Sequence, residues 1–307
     1  MPSFTFESTA DEAAKALGSE IEGKNIIITG TSPKSLGLEA AKAIATKRPA
    51  VLVLTARKLP LLEQARSEIL AQNPETKIKL LAFDFGSQHA VREAVSTLSA
   101  YEGNFDVILN AAGVMAAPFA LTADGIESHF AINHIGPFLF TNLLLPKLNK
   151  GARIINVSSR AYQLGPILWD DISFENTPYN KWQAYAQSKA ANILFSAALA
   201  RKLSSRGIVS FSIHPGTIWT NIGRHLTQED LDMLSGIPRE YKSVQQGAAG
   251  MLVAAFDPSI ADQNGGYLDE DNQIKPIPEE YDYAVGPGNE ERLWKLSERL
   301  VNDKFSY

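Results

Sequence analysis

The chain has 307 residues, of which 45% are hydrophobic and 21% are charged, a composition typical of a globular protein with a sizeable core. Its net charge of −5 predicts no electrostatic surface for nucleic acid or for an anionic membrane. The absence of cysteine excludes disulfides, thiolate chemistry and iron–sulfur clusters.

Location and metal binding follow from what the sequence lacks. No basic segment followed by an apolar one opens the chain, and no apolar run is long enough to span a bilayer. We therefore expect a cytoplasmic protein without an integral membrane segment. The histidines show no metal-ligand spacing, so we expect structural or surface roles for them and no metal site; they are His89, His129, His134, His214 and His225.

Residues 1–23 are predicted to form an extension with a short helix, because Thr9 and Glu12 have the spacing of a capping box. Apolar runs and amphipathic segments then alternate along the chain. The expected strands are 25–29, 51–55, 78–83, 105–109, 153–157, 208–213 and 266–268, and the expected helices are 38–47, 61–72, 89–99, a long stretch at 122–149, and a helix that carries Tyr185 and runs to about 206.

This βα alternation predicts an α/β fold: a doubly wound Rossmann sheet of about seven mostly parallel strands flanked by helices. Residues 24–307 are expected to form one domain that ends in a helix. Loops at about 160–182 and 217–243 interrupt the pattern and carry several tryptophans and other apolar residues. They are predicted to cover a substrate, although they could simply pack over the core.

Tyr185 and Lys189 are four residues apart, so their side chains share one face of the predicted helix. An ammonium beside a phenol lowers the pKa of the phenol, at most by about three units at ~4 Å. The pair is thus a candidate acid and base at neutral pH. By itself the spacing is weak evidence, because it occurs by chance in many helices, usually as an amphipathic tyrosine and a solvated lysine.

The first predicted strand is followed by a turn from Gly30 to Gly37 and then by a helix. Helix amides at the carboxyl end of a first strand bind a pyrophosphate in dinucleotide-binding folds. The spacing does not match G-x-G-x-x-G, and on local grounds an ordinary βα turn is as good a reading.

Several motifs in order resemble those of the short-chain dehydrogenase/reductase family, especially its retinol-dehydrogenase-like and fungal oxidoreductase branches. The glycine turn is Thr29-Gly30 to Gly37, with one additional residue and with Lys34-Ser35 in place of a middle glycine. The Asn-Asn-Ala-Gly motif appears as Asn110-Ala111-Ala112-Gly113. The remaining matches are Asp84, Asn133 after Phe130-Ala131-Ile132, Ser159 in Asn156-Val157-Ser158-Ser159, the Tyr185 and Lys189 pair, and Pro215-Gly216 with Thr220 following.

The resemblance implies a catalytic tetrad of Asn133, Ser159, Tyr185 and Lys189. Tyr185 would donate a proton to a developing alkoxide, Ser159 would hold the oxygen, and Lys189 would lower the pKa of Tyr185 and contact the nicotinamide ribose. Asn133 would support a proton relay through water. The implied cofactor-binding residues are Gly30, Ser32, Lys34, Ser35, Leu36, Gly37, Arg57, Asp84, Phe85, Asn110, Ala111, Gly113, Tyr185, Lys189, Pro215, Gly216, Ile218 and Thr220.

The residues after the second strand predict the cofactor. A carboxylate there would accept the ribose hydroxyls of NAD(H) and repel a 2′-phosphate, but the chain has Thr55-Ala56-Arg57-Lys58. Arg57, with Lys34 from the first turn, can form charge-assisted hydrogen bonds to that phosphate. We therefore expect NADP(H).

The expected function is an NADPH-dependent oxidoreductase that interconverts a ketone or aldehyde and an alcohol on a small apolar molecule, retinoid-, steroid- or polyketide-like. Two alternatives remain: an NADP-binding sensor or scaffold, and a non-redox biosynthetic enzyme on the same fold. The resemblance allows a homodimer or homotetramer. No role can be assigned to the acidic, proline-containing segment from Asp269 to Gly288.

Overall fold

The structure, a computed structural model, describes residues 3–236 and 240–307. Within these residues the strands are β1 Asn25–Thr29, β2 Val51–Ala56, β3 Ile78–Ala82, β4 Phe105–Asn110, β5 Leu148–Val157, β6 Val209–Ile213, β7 Tyr267–Leu268 and β8 Ile274–Lys275. They form one sheet in the order β3-β2-β1-β4-β5-β6-β7-β8. Pairing is parallel from β3 to β7, and β8 lies antiparallel to β7. This confirms the predicted doubly wound architecture.

Two layers of helices cover the sheet. Consecutive residues of β1 alternate between them, since Ile27 packs into one hydrophobic cluster and Ile26 and Ile28 into the other. Strands buried on both faces read as continuous apolar runs, which is why β1 and β2 could be predicted. The helices are α1 Ala10–Ala16, α2 Gly18–Ile21, α3 Leu36–Ala45, α4 Leu59–Leu70, α5 Gln88–Ser99, α6 Ser128–Phe130, α7 Gly136–Leu144, α8 Lys181–Lys202, α9 Gln228–Ser235, α10 Val244–Phe256 and α11 Pro287–Val301.

The predicted capping box opens α1. The Thr9 hydroxyl accepts a hydrogen bond from the Glu12 amide at 3.2 Å, and the Glu12 carboxylate accepts one from the Thr9 amide at 2.9 Å. Helix α1 packs against α3 and α10. The N-terminal extension is therefore joined to the helix layer beside the first strand. Residues 1–2 of this predicted extension, and residues 237–239 of the predicted loop at 217–243, lie outside the described residues.

Several features differ from the sequence expectation, and helices α2, α9 and α10 were not predicted. Strand β8 was not predicted, because it has only two residues and lies in the segment from Asp269 to Gly288. Of the long helical stretch expected at 122–149, residues 122–127 are not helical and residues 148–149 begin β5. The remainder is divided into α6, a π-helical turn at Ala131–Ile135, α7 and a 3₁₀ turn at Leu145–Lys147. Pattern alone does not detect one wide turn inside an otherwise helical run.

The strand order places a crevice at the carboxyl ends of the strands. Strands β2 and β3 lie on one side of β1, whereas β4, β5 and β6 lie on the other. Connections from the two halves diverge at this point, which is where ligands bind in open α/β sheets. Within residues 3–236 and 240–307, no helix is both long and apolar enough to cross a bilayer.

Candidate active site

A cavity of about 760 Å³ opens at the carboxyl ends of the strands. Most of the predicted site residues line it, from the end of β1 at one side to the start of the predicted loop at 217–243 at the other. They are Gly30, Ser32, Ser35, Leu36, Arg57, Asp84, Phe85, Ala111, Gly113, Ser159, Tyr185, Lys189, Pro215, Gly216, Ile218 and Thr220. Four predicted residues, Lys34, Gly37, Asn110 and Asn133, do not line it.

The turn after β1 has the close packing that a phosphate-binding turn requires. Gly30 has φ +72°, and a Cβ there would lie 2.8 Å from the backbone of Ala112. Ser35 caps α3: its hydroxyl accepts from the Leu38 amide at 3.1 Å and donates to the Gly30 carbonyl at 2.7 Å. The N-terminus of α3 is thereby held at the cavity, where its first amides can bind an anion.

Gly37 and Lys34 have local backbone roles in this turn, and their contact with a cofactor stays a prediction. A Cβ on Gly37 would lie 2.8 Å from the Gly30 carbonyl oxygen, so Gly37 allows helix and strand to approach and need not contact a ligand. Lys34 is exposed and has φ +63°. It adopts the left-handed conformation that a glycine would favour. The unusual sequence thus preserves the turn at the cost of local backbone strain.

Asn110 was predicted to bind the cofactor, but it lies in the layer beneath the cavity. Its side-chain amide donates to Thr141 Oγ1 at 3.0 Å and to Asn156 Oδ1 at 2.9 Å. These bonds join β4 to α7 and β5. The residues after it, Ala111 and Gly113, do line the cavity.

Asn133 is buried in the π-helical turn. Its amide oxygen accepts from the Val114 amide at 2.8 Å, while its nitrogen donates to the Val114 carbonyl at 3.0 Å and to Ser188 Oγ at 2.9 Å. Asn133 therefore connects the loop after β4 to α8. Asn133 thereby holds Val114, which lines the cavity, and its membership of the catalytic tetrad stays a prediction.

Helix α8 brings Tyr185 and Lys189 to the cavity. Asn180 caps the helix by accepting from the amides of Trp182 and Gln183. Tyr185 and Lys189 are only 5% and 3% exposed. The Lys189 ammonium lies 5.5 Å from the centre of the Tyr185 ring and donates to the Val157 carbonyl at 2.9 Å. The sequence prediction that one helix face carries both side chains is thus met by the geometry.

The sequence predicted that the pKa of Tyr185 is lowered. As far as the residues of the chain determine it, this prediction was wrong. Burial raises the pKa of Tyr185 to about 12, although the neighbouring Ser159 hydroxyl lowers it. Burial also lowers the pKa of Lys189 to about 7. Both shifts have one physical cause, because a site poor in water disfavours the phenolate and the ammonium alike. The sequence argument counted the attraction between the two groups and omitted their desolvation.

Ser159 and Asp84 reach the cavity from the ends of β5 and β3. Ser159 caps a short helix at Arg160–Leu164, where its hydroxyl accepts from the Ala161 amide at 3.1 Å. Asp84 accepts from the Gly86 amide at 2.8 Å. Each side chain accepts a hydrogen bond from a nearby backbone amide, as it would if its role were only structural. Both also face the same cavity as Tyr185.

The predicted loop at 217–243, which we call the lid, contributes lining residues to one side of the cavity. Its two ends meet in a bridge between Thr217 and Tyr241. Trp219 and Tyr241 line the mouth and stack with ring centres 5.9 Å apart and planes inclined by 10°. Trp219 is 59% exposed. The lid therefore presents aromatic surface at the entrance.

Sequence reasoning missed several lining residues, among them Phe6, Arg224 and Glu270. Phe6 comes from the N-terminal extension, and Lys242 Nζ lies 4.6 Å from the centre of its ring. Contacts so distant in the chain leave no local pattern. Arg224 could have been noticed, since it is a cation inside a segment singled out for its apolar residues.

Three histidines are buried, in part as expected. His129 lies 2.8 Å from Glu127 Oε1, and burial lowers the pKa of His134 to about 3. His214 lines the cavity, with Nε2 3.7 Å from Glu270 Oε2, and its structural role stays a prediction.

The site therefore combines an anion-binding turn at one end with a buried phenol, ammonium and hydroxyl at the other. The residues present fit a dinucleotide: Gly30 lets the turn pack closely against the Ala112 backbone, and α3 presents its N-terminus to the cavity, where Ser35 and Leu36 line it. The phenol can donate a proton, because a pKa of about 12 keeps it protonated at neutral pH.

Comparison with known proteins gives the same interpretation. The family model for short chain dehydrogenases matches residues 24–231. Human retinol dehydrogenase 13 is 35% identical over 92% of this chain and 85% of its own length. A short-chain dehydrogenase/reductase from Penicillium roqueforti is 34% identical over 92% of this chain and 86% of its own. The solved structure of an uncharacterised protein from Mycobacterium paratuberculosis, 28% identical, matches with a TM-score of 0.72 over 94% of this chain and 96% of its own.

The match to the family model covers more than half of the chain, and the relatives align over most of their length. One of these relatives is a retinol dehydrogenase, which agrees with the retinol-dehydrogenase-like branch that the motifs indicated. The protein belongs to the short-chain dehydrogenase/reductase family and is retinol-dehydrogenase-like.

Proposed function

We propose that the protein is an NADP(H)-dependent carbonyl reductase, reversible as an alcohol dehydrogenase. Its substrate is a small, uncharged and apolar ketone or aldehyde of retinoid-, steroid- or polyketide-like character. The observation that carries the proposal is the convergence of Ser159, Tyr185 and Lys189 on one cavity whose other end is a phosphate-binding turn.

The protein residues would orient the substrate and manage one proton. When bound, the nicotinamide supplies the hydride. Tyr185 holds the proton that the reduced oxygen needs, since its raised pKa keeps the phenol neutral. The Ser159 hydroxyl lies beside that phenol and would hold the carbonyl oxygen. Lys189, when charged, would stabilise the phenolate left after proton transfer.

The preference for NADP(H) rests on the charges at the end of β2. Arg57 is exposed, lines the cavity and makes no ion pair with any described residue. No carboxylate occupies positions 55–58. An unpaired guanidinium is suited to a bidentate contact with phosphate.

The class of substrate is inferred from the walls of the cavity. Many of the lining side chains are aromatic or aliphatic, and they include Met115, Leu164, Trp182, Trp219, Leu226 and Leu234. Apolar lining with a few convergent polar groups is the usual character of a site for a small apolar ligand. The wall therefore favours a substrate that carries one carbonyl on an otherwise apolar body.

The test is loss of nicotinamide absorbance when purified protein meets NADPH, and separately NADH, with a panel of apolar ketones and aldehydes. We expect turnover that is faster with NADPH. If NADPH bound tightly but was not oxidised with any of the carbonyl compounds, the proposed reductase activity would be rejected. Chromatographic analysis of products with and without cofactor would then detect a dehydration or cyclisation.

A further inference from the structure

Residues 3–8, which we call the N-terminal arm, precede α1 and are fastened to the far edge of the sheet. Phe4 is buried in the hydrophobic core, and its carbonyl accepts a hydrogen bond from Gln273 Nε2 at 2.7 Å. The Thr5 carbonyl accepts one from Asn272 Nδ2 at 2.6 Å. Both donors lie in the turn between β7 and β8. The backbone of the arm is therefore held next to the carboxyl end of β7.

The next residue of the arm, Phe6, lines the cavity and covers the ammonium of Lys242 at the end of the lid. Lys242 Nζ lies 4.6 Å from the centre of the Phe6 ring and donates to the Glu270 carbonyl. Lys242 is buried, and burial lowers its pKa, although Glu270 and other nearby carboxylates raise it. A cation over an aromatic ring is held more strongly where water is excluded. Phe6 thus stabilises an ammonium that has lost most of its water.

Lys242 in turn supports the part of the cavity wall formed by Gly216 and Thr217. Its amide donates to the Thr217 carbonyl at 2.9 Å, beside the bridge between Thr217 and Tyr241. Gly216 has φ +93°, and a Cβ there would lie 2.7 Å from Lys242 Cδ. Lys242 is not among the described residues that line the cavity, so it packs behind this wall. A displacement of Lys242 would therefore move residues that face the ligand.

We infer that the N-terminal arm is part of the active site, and that Phe6 and Lys242 are positioning residues that hold Gly216 and Thr217 in the cavity wall. The inference rests on the proposed function, in which the turn at Gly216 lies against the nicotinamide. The arm precedes residues 24–231, which the family model matches, so the contact adds to the motifs that the family shares. A wall that is ordered before binding lowers the cost of ordering it around a cofactor.

Hydrogen exchange of the Lys242 amide in the ligand-free protein tests whether the arm holds the wall. This amide donates to Thr217, so its exchange reports local opening between the two residues. Phe6→Leu keeps an apolar side chain and removes the aromatic face, and it should speed this exchange by about fivefold. Phe6→Tyr should restore the exchange to within about twofold of the wild type. Phe4→Leu is the matched control, since it makes the same change in the same arm at a core position that does not line the cavity.

Calorimetric titration of the full chain with NADP⁺ and with NADPH tests the consequence for binding. Phe6→Leu and Lys242→Met should each weaken both forms of the cofactor by about fivefold. The double variant should show about the same loss rather than the product of the two, because the residues act as one unit. Phe6→Tyr should rescue the affinity, and Phe4→Leu should change it by less than about twofold. Thermal melts without ligand establish that each variant folds.

Unchanged exchange of the Lys242 amide in Phe6→Leu would overturn the inference and leave the proposed function standing. Faster exchange with unchanged affinity for both cofactor forms would also overturn it, because the arm would then serve stability alone. Equal effects of Phe4→Leu and Phe6→Leu would do the same. If the wild type bound neither NADP⁺ nor NAD⁺, the proposed function would fail, whereas faster exchange in Phe6→Leu would still support the role of the arm in holding the wall.

Discussion

Replacing Lys189 by methionine should make the protein more stable and inactive. Lys189 is 3% exposed, and burial lowers its pKa from 10.5 to about 7. The fold therefore disfavours the ammonium. Methionine has a similar length and buries no charge. The Val157 carbonyl, which loses the Lys189 donor, keeps a hydrogen bond from Asn192 Nδ2 at 3.0 Å, so the substitution leaves no buried acceptor without a partner.

The size of the effect depends on pH in a definite direction. Between pH 7 and 10.5 the unfolded chain holds the Lys189 proton more tightly than the folded chain does, so wild-type stability rises with pH across this window. The penalty of the buried lysine is about 4 kcal/mol at pH 7 and about 1 kcal/mol at pH 10. Loss of one hydrogen bond subtracts about 1 kcal/mol from the gain. Lys189→Met should thus be about 3 kcal/mol more stable at pH 7, with almost no advantage at pH 10.

Urea unfolding of the ligand-free wild type and variant at pH 6, 7, 8.5 and 10 measures this difference directly. Groups that titrate in both proteins cancel when the two free energies of unfolding are subtracted. Lys150→Met, which replaces an exposed lysine, is the matched control for the loss of one positive charge. Parallel stability curves for the wild type and Lys189→Met would refute the reasoning.

Three further substitutions test the catalytic end and the first turn. Tyr185→Phe should reduce turnover at least hundredfold because the proton donor is lost, while titration should find the affinity for NADP⁺ changed by less than about twofold; normal turnover would remove Tyr185 from the mechanism. Gly30→Ala should lower the free energy of unfolding by about 2 kcal/mol, since its Cβ would lie 2.8 Å from the Ala112 backbone at a positive φ. Lys34→Gly should raise it by up to about 1 kcal/mol by relieving φ +63°, and an unchanged urea midpoint would show that the lysine is unstrained.

Much of the fold could be predicted because its determinants are local. Strand β2 is buried at all six positions and is apolar except at Thr55, so burial on both faces is written directly in the sequence. The Thr9 capping box and the Tyr185 to Lys189 spacing depend on residues within one helical turn. The structure confirms these features because tertiary contacts reinforce the local preference.

The rest depends on contacts between distant parts of the chain. Phe6 lines the cavity although it lies in the N-terminal extension, and Asn110 fails to reach it because Asn156 and Thr141 hold its amide beneath the surface. The pKa of Tyr185 was predicted in the wrong direction for a similar reason. The attraction of Lys189 follows from spacing, whereas the desolvation that exceeds it comes from surrounding elements.

The buried lysine also bears on the choice between an enzyme and a protein that only binds a dinucleotide. Phosphate contacts and the glycine turn would serve a sensor or scaffold fully, and these lie at the opposite end of the cavity from Lys189. Such a protein could use Lys189 to contact the nicotinamide ribose, but it would have no use for a phenol beside an ammonium whose burial costs about 4 kcal/mol at pH 7. A reductase does, because proton transfer from Tyr185 leaves a buried phenolate that needs a cation beside it. The destabilising position of Lys189 therefore supports the enzymatic interpretation more strongly than the presence of the motif alone.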